Sequence, residues 1–259
     1  MTLSPVLETY YDAAPRPLAT AEEVGPFTLF VRTDEEGWPF YARPSLGHAG
    51  PFTAAHVEEV RRRQRELGVP ESLEWVHETT PTLLAAAREA GMHVAECPLL
   101  VLPGDTPAVD VTLPPGSGVR ILDPDSPDLA TVSAAVGAGF AGHDRLPEPT
   151  TEPRAGRLAR LTGSGLLVMA GAYDAHGPIG GGSHSPRGST TELTGIAVLP
   201  RARRQGFGAA ITAALVADAR RRGVETVFLS AQDDAVARVY ERIGFRRVGT
   251  ACVAEPIEG

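Results

Sequence analysis

The stretch Arg203-Arg204-Gln205-Gly206-Phe207-Gly208 lies between two segments of different pattern. Residues 191–198 before it are typical of a strand, and apolar residues recur every third or fourth position across 206–222, which predicts a helix. The first four backbone N–H groups of a helix lack internal acceptors, and the helix dipole adds partial positive charge there. Glycines let an anion approach the backbone, and arginines add formal charge. The stretch therefore predicts a turn that binds a pyrophosphate group.

Outward from this turn, the C-terminal half alternates strand and helix patterns. Strands are predicted at 119–122, 166–173, 179–185, 191–198, 226–230 and 248–254. Residues 125–133 offer N-cap candidates for a helix that runs to about residue 137, and further helices are predicted at 154–161, 206–222 and 233–242. The breaker-rich turn 174–178 predicts an antiparallel hairpin. A long helix between two strands predicts a parallel crossover. The order indicates an α/β protein with a mixed sheet.

The region before this half carries a weaker copy of the same pattern. Prolines and glycines concentrate at 103–118, which predicts lobes at 1–105 and 119–259 joined by a linker at 106–118. The segment from Pro44 resembles the segment from Pro200 at a spacing of 156, and Cys97 corresponds to Cys252 at 155. We interpret the first lobe as a partial, degenerate repeat; chance similarity between two glycine-bounded helices is the alternative.

Composition limits the classes of partner. The chain has 259 residues and a net charge of −8, which disfavours a nucleic-acid-binding surface. Two cysteines are too few for a disulfide framework, and none of the seven histidines lies in a metal-binding motif, so no metal is predicted. No apolar run approaches the roughly 18 residues of a membrane helix. We expect a cytoplasmic protein without a membrane partner.

Two other phosphate-binding motifs fit poorly. A dinucleotide-binding turn follows its strand almost directly, whereas residues 199–205 separate the strand from Gly206 here, and no acid ends the strand 226–230. A Walker A loop requires a lysine, which is absent from the sequence. The turn therefore belongs to another class of anion site.

A later segment, DDAVARVYERIGF from Asp233 to Phe245, completes a longer pattern. Together with the turn it resembles the GNAT superfamily of acyl-coenzyme A N-acyltransferases, in a tandem-lobe form of actinobacterial type. The family's coenzyme loop reads Q/R-x-x-G-x-G/A, and its later helix reads N-x-x-A-x-x-x-Y-x-x-x-G-F. The loop positions are filled here by Arg203, Gly206, Gly208 and Ala209. Asp233 and Val236 replace the usual Asn and Ala, which weakens the expected contact of residue 233 with the coenzyme. The resemblance covers 119–255.

The resemblance implies acetyl-coenzyme A as co-substrate and a GNAT-type fold in the C-terminal lobe. Residues that would bind the coenzyme are Ile196, Ala197, Val198, Arg203, Arg204, Gln205, Gly206, Phe207, Gly208, Ala209 and Asp233. Of these, 196–198 would pair with the pantetheine arm through their backbone and 203–209 would hold the pyrophosphate.

The implied reaction is attack of an amine on a thioester, which needs a base and an acid. Glu192, on the strand that would line the acceptor side, is the first candidate base, and His184 is the second. A backbone N–H near 196–198 would stabilise the oxyanion. Tyr240 matches the family residue that protonates the leaving thiolate, with Ser230 as a lesser alternative. Each could instead have a purely structural role.

We therefore predict transfer of an acetyl group to a primary amine of a small molecule or peptide. The alternatives are another acyl chain, a protein N-terminus as acceptor, or a non-catalytic acyl-coenzyme A sensor. In the first lobe, Pro51 and Phe52 stand where Phe207 and Gly208 stand in the second. We expect that lobe to bind no coenzyme. The oligomeric state is not predicted.

Overall fold

A computed structural model describes residues 3–34, 40–146 and 152–257. The chain divides into two compact units. Unit 1 comprises Met1–Leu100, Ser230–Ala237 and Arg247–Gly259, and unit 2 comprises Val101–Leu229 and Arg238–Arg246. Segments of the two units thus alternate along the sequence near its C-terminus, whereas the predicted lobes, 1–105 and 119–259, are each one continuous segment. Those boundaries stay a prediction.

Unit 1 places three helices on a mixed sheet. The helices are α1 (Leu3–Ala13), α2 (Ala54–Glu66) and α3 (Pro81–Glu89). The strands are β1 (Ala19–Val24), β2 (Phe27–Arg32), β3 (Ala42–Pro44), β4 (Leu73–Val76), β5 (Met92–Leu102) and the last strand of the chain, β11 (Arg246–Pro256). Their order is β1-β2-β3-β4-β11-β5. The parallel pair β3–β4 lies among antiparallel neighbours.

The end of the chain completes the core of unit 1. Strand β11 runs antiparallel to β4, with Cα partners from Ala251 and Val76 to Ala254 and Leu73. Cys252 is 1% exposed and packs in one apolar cluster with residues of α2, α3 and β5. Burial of such a cluster is the main favourable term in folding. Unit 1 therefore depends on residues from both ends of the sequence.

Unit 2 contains the predicted second-half elements. Its strands are β6 (Gly118–Ile121), β7 (Val168–Asp174), β8 (Gly177–Arg187), β9 (Thr190–Val198) and β10 (Thr226–Ser230), in the order β10-β9-β8-β7-β6. The helices are α4 (Leu129–Phe140), α5 (Glu152–Gly163) and α6 (Phe207–Arg221), and α7 (Asp234–Glu241) begins in unit 1 and ends in unit 2. The pair β9–β10 is parallel and the other pairs are antiparallel.

Glycines in β8 allow helices to pack closely on both faces of the sheet. A Cβ at Gly181 would lie 2.6 Å from Val132 of α4, and a Cβ at Gly182 would lie 3.0 Å from Ile211 of α6. Successive strand residues point to opposite faces, so neighbouring glycines make room for different helices. The glycine run is therefore a packing feature of the two-sided sheet.

The structure confirms the mixed α/β fold and shows the same element order twice. After its early elements, each half of the sequence follows the order strand, strand, strand, helix, strand, helix, strand. Helices α2 and α6 begin 153 residues apart (207 − 54), as do α3 and α7 (234 − 81). Within the described residues, α1 and a short 3-10 helix (Arg16–Leu18) precede β1, whereas β6, α4 and α5 precede β7. The first half is the shorter version.

Candidate coenzyme and acyl-transfer site

The turn between β9 and α6 has an unusual backbone. A short 3-10 helix, Pro200–Ala202, leads to Arg204 at φ 62° and Gly206 at φ 89°, and α6 begins at Phe207. A positive φ is unfavourable for a residue with a side chain, by about 1–3 kcal/mol at such positions. Left-handed residues in a turn point successive N–H groups toward one side, where they form a concave anion site. The predicted turn is therefore present and held in a strained conformation.

The N–H groups of this turn are open. Within the part of the chain that the structure describes, no backbone N–H of residues 204–209 has a hydrogen-bond acceptor, whereas the Arg203 N–H donates to the Pro200 carbonyl at 3.2 Å. No side chain caps α6. These donors lie at the positive end of a 15-residue helix, where an anion is favoured. The arrangement can bind a phosphate or pyrophosphate.

Two polar side chains of the turn, Arg203 and Gln205, bond to the protein backbone, and a third, Arg204, is available to a ligand. Arg203 donates through Nη2 to the carbonyl of Gly139 in α4 at 2.7 Å, and Gln205 donates through Nε2 to the Arg201 carbonyl at 2.8 Å. The exposed Arg204 has no side-chain hydrogen bond or ion pair among the described residues. Arg204 is therefore the side chain best placed to contact a phosphate, while Arg203 and Gln205 hold the turn's shape.

Strand β9 separates from β10 close to the turn. Their parallel Cα pairs run from Thr190 and Thr226 to Glu192 and Phe228, and no further pair follows in the described residues. On its other side, β9 shifts register against β8 opposite Gly181 and Ser183, and Gly195 there has φ 63°. The backbone of 196–198 thus lies beyond the last parallel pair, which is where the sequence predicted contact with an extended ligand.

Glu192 lies at the point of separation. It is half-buried, its Cα partners are Ser185 on β8 and Phe228 on β10, and it is the last β9 residue paired with β10. The backbone of residue 192 thus lies where the two strands part. This placement suits the predicted base.

His184 is placed differently from its predicted role. Its ring is fully buried, with Nδ1 3.0 Å from Thr191 Oγ1 and Nε2 3.1 Å from Asp218 Oδ2 on α6. Burial lowers the pKa of His184, although Asp218 acts in the opposite direction. Both nitrogens are thus engaged and the neutral ring is favoured. The structure argues against a catalytic base here and for a contact that fastens the sheet to α6.

Tyr240 lies on α7, and its ring meets Phe245 edge to face at 5.9 Å between centroids. Burial raises the pKa of Tyr240 to about 12. Its hydroxyl has no hydrogen-bond partner among the residues that the structure describes. The phenol is therefore protonated at neutral pH and has a donor available.

Two predicted residues have simpler surroundings. Asp233 accepts a hydrogen bond at Oδ1 from the Val236 N–H at 2.8 Å, so it caps α7. Ser230 is exposed at the end of β10. The Asp233 contact with the coenzyme stays a prediction, and capping is the role that its geometry supports.

Gly139 is a positioning residue that the sequence pattern did not indicate. A Cβ at Gly139 would lie 2.8 Å from the Val198 carbonyl oxygen, so α4 can approach β9 only because residue 139 is glycine. The glycines of α4 were the available signal, but helix periodicity does not say which glycine faces which strand.

Residues 3–34, 40–146 and 152–257 contain no group of three or more His, Cys, Asp or Glu side chains able to hold a metal ion. No helix within those ranges is long and apolar enough to span a membrane.

Comparison with known proteins agrees with this geometry. Residues 139–245 match the acetyltransferase (GNAT) family. Mycothiol acetyltransferases from Thermobispora bispora and Cellulomonas flavigena are 30% identical over 193 residues and 29% identical over 208 residues. These alignments cover 67% and 70% of this chain but 61% and 56% of the relatives. The chain thus spans about three fifths of the length of the curated relatives it matches.

Solved structures share the fold. A GCN5-related N-acetyltransferase from Kribbella flavida superposes with a TM-score of 0.75 at 22% identity, over 100% of this chain and 97% of that one. A tandem GNAT protein from the clavulanic acid biosynthesis pathway superposes with a TM-score of 0.60 at 18% identity, over 91% and 80% of the two chains. Sequence, site geometry and fold thus agree with the match of residues 139–245 to the acetyltransferase (GNAT) family.

Proposed function

We propose that unit 2 transfers an acetyl group from acetyl-coenzyme A to a primary amine of a small molecule or peptide. The observation that supports this best is the open turn at 204–209, whose N–H groups have no acceptor among the described residues. A helix N-terminus left without a side-chain cap is well suited to an anionic ligand.

The residues present fit the coenzyme in two ways. The backbone of 205–209 and the Arg204 guanidinium would hold its pyrophosphate through charge-assisted hydrogen bonds. The backbone of 196–198, beyond the last β9–β10 pair, would bind its extended arm as an added strand. When bound, acetyl-coenzyme A supplies an activated acyl group. Holding an amine beside that group accounts for up to about 7–11 kcal/mol of barrier lowering in well-oriented reactions.

Glu192 and Tyr240 have complementary proton-transfer roles in this proposal. Glu192 takes the amine proton, directly or through a water molecule, so that a neutral amine attacks. Tyr240 donates its proton to the departing sulfur, because its pKa of about 12 keeps it protonated. A free thiol has a pKa near about 8.5, so proton transfer from Tyr240 becomes easier where the departing thiolate is held away from water, because desolvation raises the pKa of the thiol as well.

Unit 1 takes no coenzyme in this proposal and is a degenerate copy of the catalytic fold. Thr53 caps α2 through its hydroxyl, and the His56 ring accepts from the Thr53 N–H. The N-terminal donors that an anion would use are thus partly satisfied by the protein itself.

The relatives named mycothiol acetyltransferases suggest which acceptors to test first. A panel should contain mycothiol-type amines, other small cationic amines and short peptides, each with acetyl-coenzyme A. We expect saturable binding at one site per chain by calorimetry and release of free thiol with at least one amine. Binding without turnover across the panel would favour a non-catalytic sensor. A folded protein that shows no binding would exclude both functions.

A further inference from the structure

The linker strap, residues 104–113, lies along the whole length of α6. Near the end of the helix, Arg220 donates through Nη2 to the carbonyls of Thr106 at 2.8 Å and Gly104 at 3.4 Å. At the other end, a Cβ on Gly206 would lie 3.2 Å from Val111 Cγ1 and 3.4 Å from the Thr112 carbonyl oxygen. The strap therefore runs from the last turn of α6 to the coenzyme turn.

The lengths of α6 and of the strap are consistent with an extended strap. Fourteen helical residues between 206 and 220 span about 21 Å at 1.5 Å each. Six extended residues between 106 and 112 span about 20 Å. An extended strap is therefore long enough to reach both contacts.

The strap supports the coenzyme turn without filling it. Among the described residues, which include all of the strap, none accepts a hydrogen bond from the N–H groups of 204–209. The Thr112 carbonyl packs beside Gly206 instead. The strap thus forms an outer wall of the turn and leaves the donors available for an anion.

The turn needs such support. Arg204 and Gly206 both have positive φ, and no side chain caps the helix. A conformation of this kind persists only where its surroundings hold it. Holding it before a ligand arrives lowers the ordering cost of binding.

The middle of the strap is loosely packed. A cavity of about 300 Å³ lies between Pro107–Val109 and the side chains of Ala213, Val216 and Ala217 on α6. The contacts described at its two ends are the hydrogen bonds from Arg220 and the packing of Val111 and Thr112 beside Gly206. Loss of either contact should release it.

We propose that the linker strap is a positioning element of the coenzyme site, which holds the Gly206 turn in its anion-binding conformation and is itself immobilised when the coenzyme binds. If the strap stabilises the coenzyme-binding turn, then bound coenzyme must stabilise the strap to the same extent, because the coupling free energy between two sites is reciprocal. This inference rests on the proposed function of unit 2 and adds to it a contribution from the segment that was predicted to be only a linker.

The test compares Arg220→Ala with the matched control Arg221→Ala. Both remove one cation from the end of α6, but Arg221 bonds to Asp218 and not to the strap. Coenzyme A affinity is measured by calorimetry, and hydrogen exchange of 104–113 is measured with and without coenzyme A. We expect Arg220→Ala to weaken binding on the order of 3- to 10-fold, as for loss of a charged hydrogen bond that acts partly through the strap. Arg221→Ala should stay within about twofold of the wild type.

In the wild type, coenzyme A should slow exchange across 104–113, and in Arg220→Ala this protection should fall. Val111→Ala removes the contact at the other end and should reproduce the loss of affinity even if Arg220→Ala folds poorly. KM for acetyl-coenzyme A should rise while kcat changes little. Unchanged coenzyme A affinity in both Arg220→Ala and Val111→Ala would overturn the proposal. So would a wild type that binds coenzyme A without slower hydrogen exchange in the strap. A wild type that binds no coenzyme A would overturn the proposed function and this inference with it.

Discussion

Helices α2 and α6 occupy corresponding places in the two halves of the sequence, yet their N-terminal turns differ. In α2, the His56 N–H donates to Thr53 Oγ1 at 3.4 Å, and the Phe52 N–H donates to Thr82 Oγ1 at 3.1 Å. In α6, the corresponding N–H groups have no acceptor among the described residues. The difference teaches that the N-terminal N–H groups of a helix are available to a ligand only where the protein leaves them unsatisfied.

The parallel strand pairs show a second contrast. In unit 1, β3 and β4 share one Cα pair, Ala42 with Leu73, and the next residue, Arg43, is 1% exposed and ion-paired with Glu8. In unit 2, β9 and β10 separate after Glu192. The charge pair of Arg43 and Glu8 thus lies directly after the single parallel pair of unit 1, whereas in unit 2 the two strands separate.

Gly206→Pro should have the largest effect, because it alters the open turn that distinguishes α6 from α2. Proline cannot adopt φ 89° and removes an N–H from the turn, so coenzyme A affinity should fall by roughly 100-fold or more, about 2.7 kcal/mol. Calorimetry measures the change. Gly50→Ala, in the loop before α2, is the control and should bind normally. Tight binding by Gly206→Pro would show that the turn is not the anion site.

Tyr240→Phe should separate binding from chemistry. Removal of the proton donor should lower kcat by about 100-fold, the lower end of general acid catalysis, and leave coenzyme affinity unchanged. Tyr173→Phe is the matched control, since that hydroxyl bonds to Asp128 and should not affect turnover. A kcat equal to that of the wild type would leave Tyr240 only a packing role.

Glu192→Gln should lower kcat by roughly 10- to 100-fold and remove the acidic limb of the pH–rate profile, because the amide cannot accept a proton. Stopped assays across pH 5–9 measure both. His184→Gln is the comparison, and it should lower the melting temperature while the acidic limb remains. Retention of the limb in Glu192→Gln would show that another group is the base.

Glu74→Gln should stabilise the protein above pH 7. Burial raises the pKa of Glu74 to about 7 from an ordinary 4.5, despite the opposing charge of Arg43. The folded state therefore keeps a proton that the unfolded state loses, so stability falls as pH rises from 4.5 to 7. The full shift of 2.5 units corresponds to about 3 kcal/mol at most, and we expect about 1–3 kcal/mol. The free energies of unfolding of the wild type and Glu74→Gln, measured with denaturant at pH 4 and pH 8, test this prediction. Equal stabilisation by the substitution at both pH values would contradict it.

Thr53→Ala should have the smallest effect. Loss of the cap of α2 should lower the free energy of unfolding by about 1 kcal/mol and leave coenzyme binding unchanged, while Thr53→Ser should retain the cap. Chemical denaturation and calorimetry measure the two quantities. A weaker coenzyme affinity in Thr53→Ala would contradict the assignment of binding to unit 2 alone.

Local features were predicted well from the sequence. Helix α6 spans Phe207–Arg221 against a predicted 206–222, and β10 spans Thr226–Ser230 as predicted. Apolar periodicity and breaker residues act over one or two turns, so the sequence carries them directly. The same holds for the glycine turn before α6, because its glycines and the following helix are neighbours in the chain.

Side-chain roles were harder to predict. His184 looked available for catalysis, but Asp218, 34 residues further on, meets its ring. Arg203 looked like a phosphate ligand, but its guanidinium reaches the Gly139 carbonyl, 64 residues earlier. Sequence pattern reports which residue types are present, whereas the partner of each depends on how distant elements pack.

The sequence by itself determined the mixed α/β order, the glycine turn before α6 and the Tyr240 helix, because each rests on residues close together in the chain. Only the tertiary structure decided that β11 pairs with β4, about 178 residues away, that the strap lies on α6, and that β9 leaves β10 after Glu192. The physical reason is that strand partners and buried contacts are selected by the total apolar surface and hydrogen bonding they satisfy, which no local stretch of sequence records.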